Sequence, residues 1–216
     1  MKKKILSLCL VAALALTAIG GTLAYFTDTD EVNNVMTMGD LDILLDEAKV
    51  TKDTEDDIWT AGKERVDGND YGQVYPGAVL PKDPTIHNEG EHDAYVWATV
   101  NVSNWMNICA ELNIDCDIAS LNKLIGNTLG EGWEVIAVEN GDTFTIGQFD
   151  AKFVLKYEAR LAAGDDTTAM FKEITVPVEF ESGKDYLFGK IDVVAYAIQA
   201  EGFADWDAAY VAYYAE

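Results

Sequence analysis

Apolar and polar positions divide the chain into an apolar leader, an acidic stretch and a series of short alternating segments. Met1-Lys2-Lys3-Lys4 precedes Ile5 to Ala24, twenty residues without a charge. Beyond it, residues 40–45 alternate Asp-Leu-Asp-Ile with period two, which predicts a half-buried strand. Residues 46–72 carry Asp46, Glu47, Asp53, Glu55, Asp56, Asp57, Glu64, Asp67 and Asp70 among few apolar residues. They read as a long solvated surface loop, with a turn at Asp67-Gly68-Asn69-Asp70.

The clearest β pattern follows. Tyr75-Pro76-Gly77 predicts a turn, Lys82 to His87 a short strand, and Asn88-Glu89-Gly90-Glu91 a hairpin loop. Ala94 to Val102 places Tyr95, Trp97 and Thr99 on one face and Ala94, Val96, Ala98, Val100 and Val102 on the other. Both faces are mostly apolar, so this strand is expected to be buried on two sides. Further strands are predicted at Glu134–Glu139 and Thr143–Ile146, around Asn140-Gly141, and at Phe149–Leu161, Phe171–Phe180 and Ile191–Ala200. Pro177 marks the Phe171–Phe180 strand as an edge. Ser120 caps a short helix through Ile125 that Gly126 ends, and Asp205 caps a final helix through Tyr214. Eight or nine short strands without βαβ alternation predict an all-β, antiparallel, jelly-roll-like β-sandwich with one or two short helices.

The leader has the parts of a secretory signal peptide: a basic start, an apolar run from Ile5 to Leu16, a Gly20-Gly21 break, and small residues at Thr22 and Ala24. Cleavage is expected between Ala24 and Tyr25. About 20 apolar residues could also span a bilayer, but the glycine pair and Ala24 favour cleavage. The expected organisation is a signal peptide over 1–24, an N-terminal segment over 25–38, and a β-sandwich over 39–216 that carries the acidic loop 46–72.

Charge narrows the partners. Removing residues 1–24 takes three lysines and no acids, so the formal charge moves from −23 to −26. Such a chain repels nucleic acid and anionic lipid. Membrane contact is expected only transiently, through the leader. The chain is nonetheless built to fold, with 49% apolar residues and 5 Trp, 10 Tyr and 8 Phe.

Candidate chemistry is sparse. The two histidines, His87 and His92, flank a Gly-containing turn, so they lack the helical spacing of His-Glu-x-x-His. A metal site across the hairpin is the weaker reading and ordinary loop residues the stronger. No nucleophile elbow, dinucleotide fingerprint or P-loop is present, so neither an enzyme nor a cofactor is expected. Cys109 and Cys116 follow the leader as the only cysteines. In a continuous helix their Cα atoms would lie about 10 Å apart, beyond bridging range. Asn113, Asp115 and Asp117 argue against such a helix, so a disulfide closing a loop stays open. Of the five tryptophans, Trp97 and Trp133 fall in strand patterns and read as core. Trp59 falls in the acidic stretch and is the candidate for exposed sugar stacking.

Several of these stretches resemble one family. The leader ending Gly-Gly-Thr-Leu-Ala, then Tyr25-Phe26-Thr27-Asp28-Thr29-Asp30 and Met38-Gly39-Asp40-Leu41-Asp42-Ile43, is similar to the TasA/camelysin group. So are Tyr75-Pro76-Gly77-Ala78-Val79 with Lys82 to Gly90, and Ala195 to Phe203. Residues 104–131 match nothing in that pattern. The resemblance implies export through a SipW-type signal peptidase and a jelly-roll subunit secreted to the cell surface or biofilm matrix. It also implies assembly with itself or with related matrix subunits, the mature N-terminus being donated as a strand to the next subunit. By position the donor runs from Tyr25 to about Met38, with Tyr25, Phe26, Val32, Val35 and Met36 as apolar anchors. Protease activity is not carried over, because the chain lacks His-Glu-x-x-His. The competing reading is a secreted surface module that binds carbohydrate, a metal ion or a host protein without polymerising.

Overall fold

The computed structural model describes residues 41–140, 149–180 and 190–215. Among the described residues nine strands and three short helices follow in chain order: β1 (Ile43–Asp53), β2 (Ile58–Val66), β3 (Val79–Pro81), β4 (Thr85–Asn88), β5 (Ala94–Val102), α1 (Trp105–Leu112), α2 (Ser120–Leu124), β6 (Trp133–Asn140), β7 (Ala151–Tyr157), β8 (Glu173–Thr175), β9 (Ile191–Gln199) and α3 (Trp206–Tyr213). Every strand pairing is antiparallel. The sheets run β2-β1-β4, β3-β8 and β6-β7-β5-β9. The architecture is the all-β antiparallel sandwich that the alternation predicts.

The core lies between the four-stranded sheet and the two smaller ones. Val96, Ala98, Val100 and Val102 of β5 meet Phe153 and Leu155 of β7, and the same cluster takes in Leu80, Ile86 and Ile174 from β3, β4 and β8. The opposite face of β5 is also covered. There Trp97 forms a second cluster with Val154 and Trp206, flanked by Tyr95, Tyr196 and Tyr210. This two-sided burial is why β5 reads as apolar throughout. The lid on that face is α3. Asp205 caps it by accepting from Ala208 N at 2.9 Å, as the sequence predicts. Trp206 Nε1 donates to the Val96 carbonyl at 3.1 Å, and its ring stacks on Tyr210 with centroids 4.5 Å apart.

Several expectations need correction. Residues 46–72 are not a loop. β1 continues to Asp53 and pairs with β2 from Asp53↔Ile58 to Glu47↔Val66, turning through Asp53–Asp57. The Asp53 side chain accepts from Glu55 N at 2.8 Å, and Asp57 takes the left-handed conformation that an acid tolerates. The Phe171–Phe180 strand shrinks to Glu173–Thr175, because Pro177 opens a turn closed by Phe180 N to its carbonyl. Ser120 is the first helical residue rather than the cap. Its hydroxyl donates to the Asp117 carbonyl and accepts from Trp105 Nε1. The helix α1 was not expected at all. The predicted strand at Thr143–Ile146 lies outside the described residues. On either side of it, β6 and β7 pair as far as Asn140↔Ala151.

Candidate functional site

The sandwich gathers its polar chemistry where the β1–β2 hairpin leaves the body. Asp46 and Glu47 of β1 are buried although both are charged, and a buried charge is stable only when paired. Each has its own partners. Arg65 of β2 places Nε and Nη2 on Asp46 Oδ1 at 2.9 and 2.7 Å, and Nη1 on Asp83 Oδ2 at 2.8 Å. Asp46 also receives His87 Nε2 at 2.8 Å, while His87 Nδ1 meets Asp166 Oδ1 at 2.6 Å. Burial would raise the Asp46 carboxyl, but Arg65 and His87 outweigh it and hold the group below its ordinary range. Burial likewise opposes the charged imidazole, yet hydrogen bonds to Asp46 and Asp166 hold His87 above its ordinary value.

Glu47 sits beside this chain of charges but answers to a different set. It pairs with Lys82 and accepts from Asn69 Nδ2 at 2.9 Å. Asn69 in turn donates to the Ala48 carbonyl at 2.8 Å and accepts from Val50 N at 2.7 Å. The segment after β2 is thereby held against β1. Tyr71 seals it, its hydroxyl donating to the Pro81 carbonyl; burial foremost, then Glu47 and Asp83, push that phenol well above its ordinary value.

A cavity of about 350 Å³ opens next to these groups. Asp46, Glu47, Asn69 and Lys82 supply its polar wall; Leu80, Ile174, Ile191 and Val193 supply its apolar one. Two of those apolar residues belong to β9, which stands at the end of the four-stranded sheet and, among the described residues, pairs with β5 alone. An edge strand bordering a half-apolar cleft offers backbone donors and acceptors together with side-chain pockets, which is what an added strand requires.

The other sequence candidates fall elsewhere. Ala24, Tyr25, Phe26, Val32, Val35 and Met36 lie outside the described residues. His87 and His92 do not converge: His92 Nδ1 lies 4.0 Å from Glu201 Oε2, whereas both nitrogens of His87 are taken by carboxylates. Cys109 and Cys116 are not joined in a disulfide. Cys109 faces the core from α1 and Cys116 lies past the helix end, where the two thiols hydrogen-bond to each other. Burial foremost pushes the Cys109 thiol up to about 12, which makes it a poor nucleophile. Trp59 is only 5% exposed. Its indole packs on Tyr75 with centroids 5.6 Å apart and beneath the Lys52 ammonium, and Nε1 donates to the Tyr71 carbonyl. It is not an open sugar platform.

The paired acids themselves escape sequence reading. Asp46 and Glu47 look like the start of an acidic loop, and only the register of β1 against β2 and β4 turns them inward. Arg65, Lys82 and His87 do not stand out in the sequence as their partners, because the acidic stretch also carries Lys49, Lys52 and Lys63.

Comparison with known proteins adds one match. Residues 1–56 match the family model described as camelysin metallo-endopeptidase. The resemblance drawn from the leader and the first strand is therefore borne out over that stretch. No curated protein and no solved structure matches the chain. That family description implies a metal, and the described residues do not fit one. No group of three or more His, Cys, Asp or Glu among them could hold an ion, and His87 has no free nitrogen to offer. No helix among the described residues is long and apolar enough to cross a membrane.

Proposed function

We propose that the chain is an exported structural subunit of the cell surface or biofilm matrix, which assembles with its own kind by N-terminal strand donation. The observation that carries the reading is the family match over residues 1–56, which spans the apolar leader, the acidic segment behind it and all of β1. A signal peptidase of the SipW type removes residues 1–24, leaving Tyr25 as the first residue. The donor is the segment from Tyr25 to about Met38, with Tyr25, Phe26, Val32, Val35 and Met36 as its anchors. The outer edge of β9, which no described strand pairs, lies beside the 350 Å³ cavity and supports an acceptor in the next subunit. The subunit performs no catalytic step in this reading. The alternative of a carbohydrate-binding module loses its leading residue, since Trp59 is packed inside.

The test is negative-stain microscopy of residues 25–216 carrying a native Tyr25 terminus. Filaments that disappear on deletion of residues 25–35, with the β-rich circular dichroism retained, are expected. Filaments that survive the deletion remove strand donation, and a protein that stays monomeric under all conditions removes the structural reading.

A further inference from the structure

Glu47, Lys82 and Asn69 form a constellation in the polar wall of the cavity, to which strand donation gives no covalent chemistry. The Glu47 side chain is 3% exposed and that of Lys82 11%. One carboxylate holds both of the others, Oε2 on the Lys82 ammonium and Oε1 on Asn69 Nδ2. A primary amine and a carboxamide are thus presented to each other across a single proton-accepting group that is itself almost wholly shielded from water. The carboxamide is also oriented and polarised. Val50 N–H donates to Asn69 Oδ1 at 2.7 Å, and the Ala48 carbonyl fixes Nδ2 at 2.8 Å. That N–H lies where negative charge would develop on Oδ1 if a nucleophile attacked Cγ. The backbone pins the nucleophile as well, through Lys82 N to the Lys172 carbonyl at 3.1 Å.

We propose that Lys82 and Asn69 become joined by an intramolecular isopeptide bond, with Glu47 as the proton carrier. Nζ gives one proton of its ammonium to Glu47 and attacks Cγ of Asn69. The Nζ–Cγ bond forms, the negative charge gathers on Oδ1 against Val50 N–H, and the Cγ–Nδ2 bond then breaks. Two protons pass from Nζ through Glu47 to Nδ2, which leaves as ammonium. Glu47 ends as the carboxylate it began as. Nothing is oxidised or reduced, and no co-reactant enters. The step draws on held geometry and on a positioned acid–base group. The product ties the segment after β2 to the segment after β3 across β1, closing the stretch from residue 69 to residue 82 into a covalent ring.

The experiment is mass spectrometry of the purified full chain in denaturant, followed by chymotryptic digestion. Loss of one ammonia, about 17 Da, is expected in the wild type. Cleavage after Tyr71, which Gly72 follows, should leave the two flanking peptides attached, with fragments assigning the link to Asn69 and Lys82. Glu47→Gln, Lys82→Arg and Asn69→Ala should each restore the full mass, and Lys82→Arg should keep its folded circular dichroism. A wild-type chain of full mass overturns the proposal whether or not the variants fold. So does a lighter chain whose peptides separate on cleavage, because cyclisation at another asparagine would account for it.

Discussion

His87 Nε2 lies 2.8 Å from Asp46 Oδ1, joining the edge strand β4 to β1 through one charged hydrogen bond. The ring's other nitrogen meets Asp166 at 2.6 Å, so a single imidazole ring bridges two carboxylates from distant parts of the chain and clamps both when it is charged. Arg65 shares Asp46 from the β2 side.

This clamp makes stability depend on pH in two directions. His87 is raised in the fold above its ordinary 6.5, so its contribution is complete below that value and lost as pH rises through the folded one. Asp46 is lowered beneath 3.8, so its contribution is present above 3.8 and lost as pH falls through the folded value. Thermal unfolding of wild type and His87→Gln should therefore differ most between the two ordinary values and converge on the alkaline side. The loss at the maximum is expected at about 1.5–3 kcal/mol, as for a hydrogen bond to a charged group. Parallel pH profiles for the two proteins would remove the clamp from the account.

Thr99 offers a gain. It is buried in β5, and Oγ1 finds no hydrogen-bond partner among the described residues. A buried hydroxyl without a partner carries its desolvation cost unrelieved. Thr99→Val keeps the branched shape and removes that group, so it should stabilise by about 1 kcal/mol. The check is a higher urea midpoint with an unchanged slope. A lower midpoint would mean that the hydroxyl is satisfied.

Gly130 marks a close backbone approach. A Cβ built there would stand 1.9 Å from the Ala169 carbonyl oxygen, while Gly130 N already donates to the Met170 carbonyl at 2.9 Å. The neighbour is backbone and cannot swing aside. Gly130→Ala should cost about 2 kcal/mol or more, read as a lower melting temperature. Unaltered melting would show that the two segments are free to part.

Trp206 secures the helix α3 over Trp97, whose ring it meets edge-on at 6.2 Å. Trp206→Ala removes that contact, the stack on Tyr210 and the bond to the Val96 carbonyl. A loss of about 3–5 kcal/mol is expected. Trp97, fully buried in the parent protein, should become open to acrylamide quenching, and α3 to proteolysis. A quenching constant matching the wild type would show that other residues hold the lid.

The strands that pack on both sides were the most legible in the sequence. β5 falls at the predicted residues because core and lid both demand apolar side chains there, and β9 and the Asp205 cap followed from equally local rules. The β1–β2 hairpin escaped notice for the opposite reason. In β2 only Trp59 is buried, so no alternation of apolar residues announces the strand. The helix α1 has no side-chain cap: Asn104 before it and Asn113 after it both take left-handed conformations. Asparagines that read as loop residues are here the two ends of a helix. The candidate site was hidden more deeply, because it depends on charges brought together across register. Local sequence shows acids, and only the fold shows which of them are inside.

The outer strand β2 carries Lys63, Glu64 and Arg65 in a row that is otherwise almost wholly exposed. Charge along an open strand discourages a neighbour from joining it sideways. The far margin of the four-stranded sheet, β6, has Glu134 and Glu139 to the same effect. β9 carries a single charge, Asp192, among Ile191, Val193 and Val194, and Lys190 pairs with it. Subunits joined at β9 would thus add end to end while their flanks stay unattractive to one another, and growth would proceed along one axis, giving a thread and not a plaque.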